Sequence, residues 1–493
     1  MLPFYLVFLA SLIHHEVWRD EINAWAISYI SQSLPEVLHR VHYEAHPAFW
    51  YVLLWLASRL SISLAMFKFV VAIIGTGIYF LLAWAALPLR RLELLLVLCS
   101  FYLTFEFTVM CRMYNLELLF ALAYAWGRTR RPQAMLWNTL WLGLMANVDI
   151  TGAILAAGLL IEYGLTLLFP TDPREPRFSR AAVVKTLGAL GVFVLFFATS
   201  VLSLWPAKDI GWSTTGKMFS GFTDPSHILQ ACLKWASMPW MPLPINCISS
   251  WDFTSWPYLF LLPVCVLLLY LSLRDHWQQG IAMLSILLTG ILFSNIVSVA
   301  GVRHVGVVYL GYIVLLWILR SAKVRVSFAS YLLLTVPVVP GLIAYIDQWS
   351  WPYTDTQAAA AWIMQNHLEN VPLFGTPDSN VVGVPERLHR SFYQLECQCR
   401  ERIMVFRASR DSFIPERDMV PRLAAGFQKA HIPQGLFLIT HRLMPYDLQD
   451  LGARGVHADS IAHFDSGFIN DEYIYIYLLK PQTPVPEGQP DRH

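Results

Sequence analysis

Long apolar runs fill the chain up to about residue 347 and then give way to alternating, polar-rich segments. The runs cover 2–16, 66–87, 92–105, 113–126, 134–148, 150–169, 183–204, 257–273, 280–299, 305–319 and 329–346. A bilayer core needs about 20 consecutive apolar residues in a helix, so the pattern predicts a polytopic α-helical membrane protein. A further run, 47–57, is too short to cross, and Arg59 and Lys68 follow it. Beyond 347 the spacing predicts helices over 354–368 and 415–431. Strands are predicted at 371–376, 402–409, 435–440 and 471–480. Alternation of strand and helix points to a small α/β domain. The predicted organisation is thus a transmembrane domain (1–346), a soluble α/β domain (347–480) and a Pro-rich tail (481–493) expected to be disordered.

Composition agrees with the pattern. The 493 residues are 56% hydrophobic and 14% charged, against about 25% charged in soluble domains. Mean hydropathy is +0.48. Nineteen Trp and 21 Tyr suit the aromatic belts of a membrane boundary. A formal charge of +1 argues against a nucleic-acid partner. Cys397 and Cys399 form a CxC without the second pair a zinc site needs, and the seven Cys carry no assigned role. Residues 2–16 lack the basic start and small-residue cleavage site of a signal peptide. They read as a short first span, which a start a few residues upstream would lengthen. No internal repeat, phosphate-binding Gly loop or HExxH is present.

Charge decides how the short run is treated. The stretches 89–91, 127–132, 171–180, 273–275 and 320–325 together hold 12 Lys and Arg. If 47–57 lies at the interface, all of these fall on the cytoplasmic side, as the positive-inside bias requires. The N-terminus is then cytoplasmic and residues 17–65 form one long outer loop. About 11 crossings leave the C-terminal domain extracytoplasmic. Several polar segments then meet the outer boundary: "VWRDEINAW" (17–25), "YEAHPAFWYVLLW" (43–55), "FEFTVMCRMYNLE" (105–117), Asp149, a Trp-rich loop (205–256) and "GVRHVG" (301–306).

"WRDEINAW" after the first helix, "HYEAHPAFWYVLL" some 25 residues on, "CRMY", and an "RH" that opens a late helix occur in the order of the polytopic GT-C glycosyltransferases. Over residues 1–346 the chain resembles the bacterial branch around protein O-mannosyltransferases and aminoarabinose transferases. The resemblance implies a GT-C fold at the plasma (inner) membrane, a polyprenyl-phosphate-linked sugar donor, and an acceptor lipid, glycan or protein on the outer face. It implies inversion at the anomeric carbon, with the acidic residue after the first helix as base. By position that is Asp20, with Glu21 beside it. Where the family often has "HPP", this chain has His46-Pro47-Ala48, which loosens the start of that helix without removing a chemical group.

Transfer from a lipid phosphate needs a base for the acceptor's proton and positive charge or a metal for the leaving phosphate. Asp20 fits the first need, although an Asp there also serves as a helix N-cap. Glu21 would orient the site, help hold a cation, or simply face solvent. Glu44 and His46 sit where the resemblance expects a second acidic or acceptor-binding group, and both also suit capping of the helix after Pro47. Arg112 at a membrane border requires a partner. Its planar fork suits phosphate oxygens, and Glu106 or Glu117 would be the structural alternative. Tyr114 belongs to packing or to substrate contact. Arg303 and His304 open a helix, whose N-terminus attracts anions. A divalent metal is an open cofactor question. Three other readings compete, one of them a catalytically inactive scaffold of this fold, against which the presence of Asp20 argues. A transporter of lipid-linked sugars would show repeats and charge near mid-bilayer, and a glycan ligase would use a similar donor with a different order of motifs.

Overall fold

The computed structural model describes residues 1–44, 46–84, 88–170, 176–211, 220–242, 255–296 and 300–482. The chain divides into two compact units that are not colinear with the sequence. Met1–His15, Ser31–Pro206 and Ser213–Ser350 form a helical unit. Glu16–Ile30, Ala207–Trp212 and Trp351–His493 form an α/β unit. The stretch 16–30, expected to open an outer loop of the first domain, therefore packs within the α/β unit.

In the helical unit, seven helices among the described residues are long and apolar enough to cross a membrane: Leu64–Trp84, Ile150–Leu168, Arg180–Ser203, Trp256–Leu273, Trp277–Ile296, Val302–Ser321 and Phe328–Ser350. At 1.5 Å per residue, 20 residues reach about 30 Å. Two more of the expected runs are short apolar helices, Leu2–His14 and Met135–Ala146. So is Ala48–Ser58, with 11 residues. The 92–105 run is not one helix. Arg91–Leu98 stops, and a π-turn follows at Tyr102–Glu106. The cause is tertiary. Phe101 N–H donates to the Pro337 carbonyl at 2.9 Å, and Gly341 lies so near that a Cβ would sit 2.5 Å from the Cys99 carbonyl.

Burial ranks the helices. Every residue from Val305 to Arg320 is buried, which makes Val302–Ser321 the centre of the unit. Arg180–Ser203 buries only Ala182, Ala189, Phe193 and Ser200, and so presents an apolar surface suited to lipid. Polar pairs gather at the two ends of these helices. At the basic end, Arg320 Nε donates to Glu93 at 3.0 Å. There too Arg128 pairs with Glu162, which also accepts from Gln279 at 3.2 Å. The segments 105–113, 147–149 and 301–304 lie at the other ends of helices Tyr114–Arg130, Ile150–Leu168 and Val302–Ser321.

The α/β unit holds one six-stranded sheet. Its strands are β1 (Leu373–Thr376), β2 (Phe392–Gln394), β3 (Cys399–Glu401), β4 (Gly435–Ile439), β5 (Val456–Phe464) and β6 (Ile474–Pro481), in the order β3-β2-β1-β4-β6-β5. β1 runs parallel to β2 and β4, and the other pairings are antiparallel. β4 is buried on both faces. Phe437 and Ile439 pack with Leu423 and Phe427 of helix Glu416–Ala430. Leu436 and Leu438 pack with Ala359 and Ile363 of helix Thr356–Gln365. This is period-2 alternation with a helix on each face. Both predicted helices and the strands near 371–376, 435–440 and 471–480 are present.

The strand predicted at 402–409 is not. Its Met404 N–H is taken by the Asn23 side chain at 3.1 Å, and Arg402 Nε turns to Glu386 at 3.2 Å. Cys397 and Cys399 form a disulfide, a role the spacing did not suggest. The tail expected at 481–493 lies outside the described residues from 483 onward, as do parts of the 205–256 loop.

Candidate active site

The residues singled out from sequence fall into two groups, one in each unit. Glu44, His46, Arg112, Tyr114, Arg303 and His304 belong to the helical unit. Asp20 and Glu21 belong to the α/β unit.

In the helical unit the centre is His46. Pro47 is the N-cap of helix Ala48–Ser58, so His46 lies on the non-helical turn just before it. Its Nδ1 lies 2.9 Å from Asp149 Oδ1 and its Nε2 lies 3.0 Å from Arg112 Nη2. Asp149 is the N-cap residue of helix Ile150–Leu168, and Arg112 lies on the irregular link between the π-turn and helix Tyr114–Arg130. Three segments thus converge on one imidazole. Burial pushes the proton affinity of His46 down. Arg112 and Arg303 push the same way, while Asp149 pulls it up. Arg303 is buried and lies within electrostatic range of both His46 and His304, so the two arginines share one neighbourhood.

His304 has a structural duty as well. Its Nδ1 accepts the Gly301 N–H at 2.9 Å, closing the first turn of helix Val302–Ser321. Tyr114 meets the His304 ring edge-on at 6.2 Å and stacks on Phe107 at 5.7 Å. Glu44 is buried and accepts from the Tyr51 hydroxyl at 3.3 Å.

Sequence reasoning gave Asp149 little weight and missed Thr151. The Thr151 hydroxyl lies 2.6 Å from Asp149 Oδ2 and 3.0 Å from Glu117 Oε1. The available signal was "VDIT" between two apolar runs, where a buried carboxylate must find donors.

In the α/β unit, helix Arg19–Ile30 buries ten of its twelve residues. Trp18 and Trp25 are buried in protein, Trp18 edge-on to Tyr353 at 5.9 Å. They are core residues here rather than interfacial anchors. Glu21 is fully buried, and one of its oxygens accepts the Trp18 N–H at 3.1 Å, a back-reaching helix cap. Asp20 is partly exposed. Its charge acts on Arg19, Asp471 and Glu472. Arg19 bridges the latter two, at 2.8 Å to Asp471 and 3.5 Å to Glu472. The Thr354 hydroxyl donates to Glu472 at 2.6 Å. Among the described residues, no group of three or more His, Cys, Asp or Glu is arranged to hold a metal ion.

No family model matches the sequence, and no curated protein matches it. Among solved structures, that of ArnT from Cupriavidus metallidurans bound to undecaprenyl phosphate is similar over 99% of this chain and 98% of its own. The identity is 14% and the TM-score 0.39.

Proposed function

We propose that the chain is a membrane glycosyltransferase that moves a sugar from a polyprenyl-phosphate donor to an acceptor hydroxyl or amine on the extracytoplasmic face. The observation that supports this most is the contact of Arg112 with His46, with Arg303 buried and acting electrostatically on the same imidazole, at the ends of the helices opposite the basic loops. Two buried guanidinium groups at a membrane boundary are costly unless an anion uses them. Their geometry suits phosphate oxygens, and a phosphate at this depth is a lipid headgroup.

Asp20 is assigned the base from the sequence resemblance. It takes the acceptor's proton, the acceptor's electron pair attacks the anomeric carbon, and the sugar–phosphate bond breaks with its electrons going to the lipid phosphate. One displacement of this kind inverts the sugar. Glu21 supports Asp20 through its cap on the helix start.

The test is single-turnover transfer by the purified chain from a panel of polyprenyl-phosphate sugars, read by mass spectrometry of the products. Transfer from at least one donor is expected, with loss of about tenfold or more in Arg112→Ala and Arg303→Ala from a missing charge-assisted contact. Tight binding of donors without turnover of any would favour the transporter reading instead.

A further inference from the structure

The polar chain behind His46 admits an accounting of its protons. A guanidinium has donors only. Arg112 Nη2 lies 3.0 Å from His46 Nε2, so that nitrogen is the acceptor and carries no proton. The ring proton is therefore on Nδ1, and it is donated to Asp149 Oδ1 at 2.9 Å. Asp149 Oδ2 faces the Thr151 hydroxyl at 2.6 Å, and the same hydroxyl faces Glu117 Oε1 at 3.0 Å. One hydroxyl has one proton but two carboxyl neighbours. One of those carboxyls must supply a second proton to the hydroxyl oxygen. Glu117, Thr151 and Asp149 are all fully buried, so water does not take over these bonds.

The result is a continuous chain from Glu117 through Thr151, Asp149 and His46 to Arg112, in which each link fixes the next. If the imidazole proton moved to Nε2, N–H would oppose N–H at Arg112. If His46 took a second proton, two cations would oppose each other. The charged and titratable groups acting on His46 include Asp149, Arg112 and Arg303, and His46 in turn acts on His304.

We propose that Asp149 is a positioning residue for the phosphate site. By accepting from Nδ1 it sets the histidine tautomer that turns a bare Nε2 toward Arg112, and so aims the guanidinium. Thr151 and Glu117 hold Asp149 in that pose. The proposal rests on the reading of Arg112 as a phosphate ligand, and the recognised group is a phosphate, whether carried by a lipid or free in the solvent.

The experiment measures affinity, so it does not depend on sugar transfer. The full chain in detergent is titrated with undecaprenyl phosphate in one arm and inorganic phosphate in the other. His46→Gln still offers Arg112 an acceptor, and His46→Leu has similar bulk without one. Asp149→Asn still offers an acceptor to Nδ1, and Asp149→Leu does not. Expected affinity is within a few-fold of wild type for the Gln and Asn variants and about tenfold to a hundredfold weaker for both Leu variants. Nitrogen NMR of labelled histidine should also show His46 protonated at Nδ1 and bare at Nε2 in the wild type. It should lose that preference in Asp149→Leu. The affinity pattern in the lipid arm alone, or in both arms, supports the proposal and identifies the source of the phosphate. Equal binding by His46→Gln and His46→Leu overturns it, and that pair decides the matter even if Asp149→Leu fails to fold. Unchanged affinity in Arg112→Ala would instead remove the shared premise, a result distinct from failure of the Asp149 variants alone.

Discussion

Stability of the α/β unit should fall as pH rises, and Glu472 is the place to test it. Burial pushes Glu472 up to about 7 despite Arg19 and the Thr354 hydroxyl. Glu386 and Glu396 are likewise pushed up to about 7, first by burial, with Asp378 adding to it at Glu396 and Arg402 opposing it at Glu386. In the unfolded chain a glutamate ionises near 4.5. Between these two values the native state holds more protons than the unfolded one. Stability therefore falls as pH rises from about 4.5 to about 7, and the loss is complete above about 7. A tenfold change in proton affinity corresponds to about 1.4 kcal/mol, so each carboxyl contributes a loss of about 3.5 kcal/mol at most.

Glu472→Gln keeps an acceptor for Thr354 and leaves Arg19 its 2.8 Å contact with Asp471, while removing one of the three ionisations. The pH-dependent loss between about pH 4.5 and 7 should shrink by about a third. Hydrogen exchange of peptides covering β4, corrected for the intrinsic pH dependence of exchange, measures the opening free energy directly. Protection that rises with pH would refute the reasoning. So would a wild-type slope in Glu472→Gln.

Three further outcomes follow from the site and the fold. Asp20→Asn should lower single-turnover transfer by about a hundredfold or more with donor affinity unchanged, whereas Glu21→Gln, still able to cap Trp18, should lose far less; the reverse ranking would identify Glu21 as the base. Gly152→Ala would place a Cβ 2.4 Å from the Met145 carbonyl and 3.1 Å from Glu117 Oε1, so it should cost about 1–3 kcal/mol in a thermal melt and weaken phosphate binding, and an unperturbed variant would show that the helices have room to separate there. Cysteines introduced at the exposed Gln32 and Ser412 should both react with an impermeant reagent in intact cells, and reaction of one alone would defeat the charge-based topology.

The helices were legible because lipid demands a long apolar run, and that demand is written locally. What interrupted them was not. The stop after Leu98 depends on a carbonyl at Pro337. β5 escaped notice because His457, Asp459 and Ser460 lie on an edge strand whose outward side chains are polar. The 402–409 segment has strand-like composition, yet its backbone bonds to Asn23, 381 positions away. For the same reason "WRDEINAW" was recognisable as a motif but not as part of the α/β unit, since Arg19 finds its partners at Asp471 and Glu472.

The site was half legible on similar grounds. His46 and Arg112 stood out because a charged or titratable side chain at a membrane boundary requires an explanation, but their relation did not, because they are 66 positions apart. The expected partners of Arg112 were carboxylates, and the structure adds a histidine at 3.0 Å that the sequence did not suggest. That difference matters for function. A carboxylate would hold the guanidinium through a charge-assisted bond of about 1.5–3 kcal/mol, and an incoming phosphate would have to replace it. A neutral imidazole holds it through a weaker bond and leaves its charge uncompensated at that contact. With the carboxylate one residue back, at Asp149, the ring that meets Arg112 has its own proton committed to the far side, so that the contact orients the guanidinium.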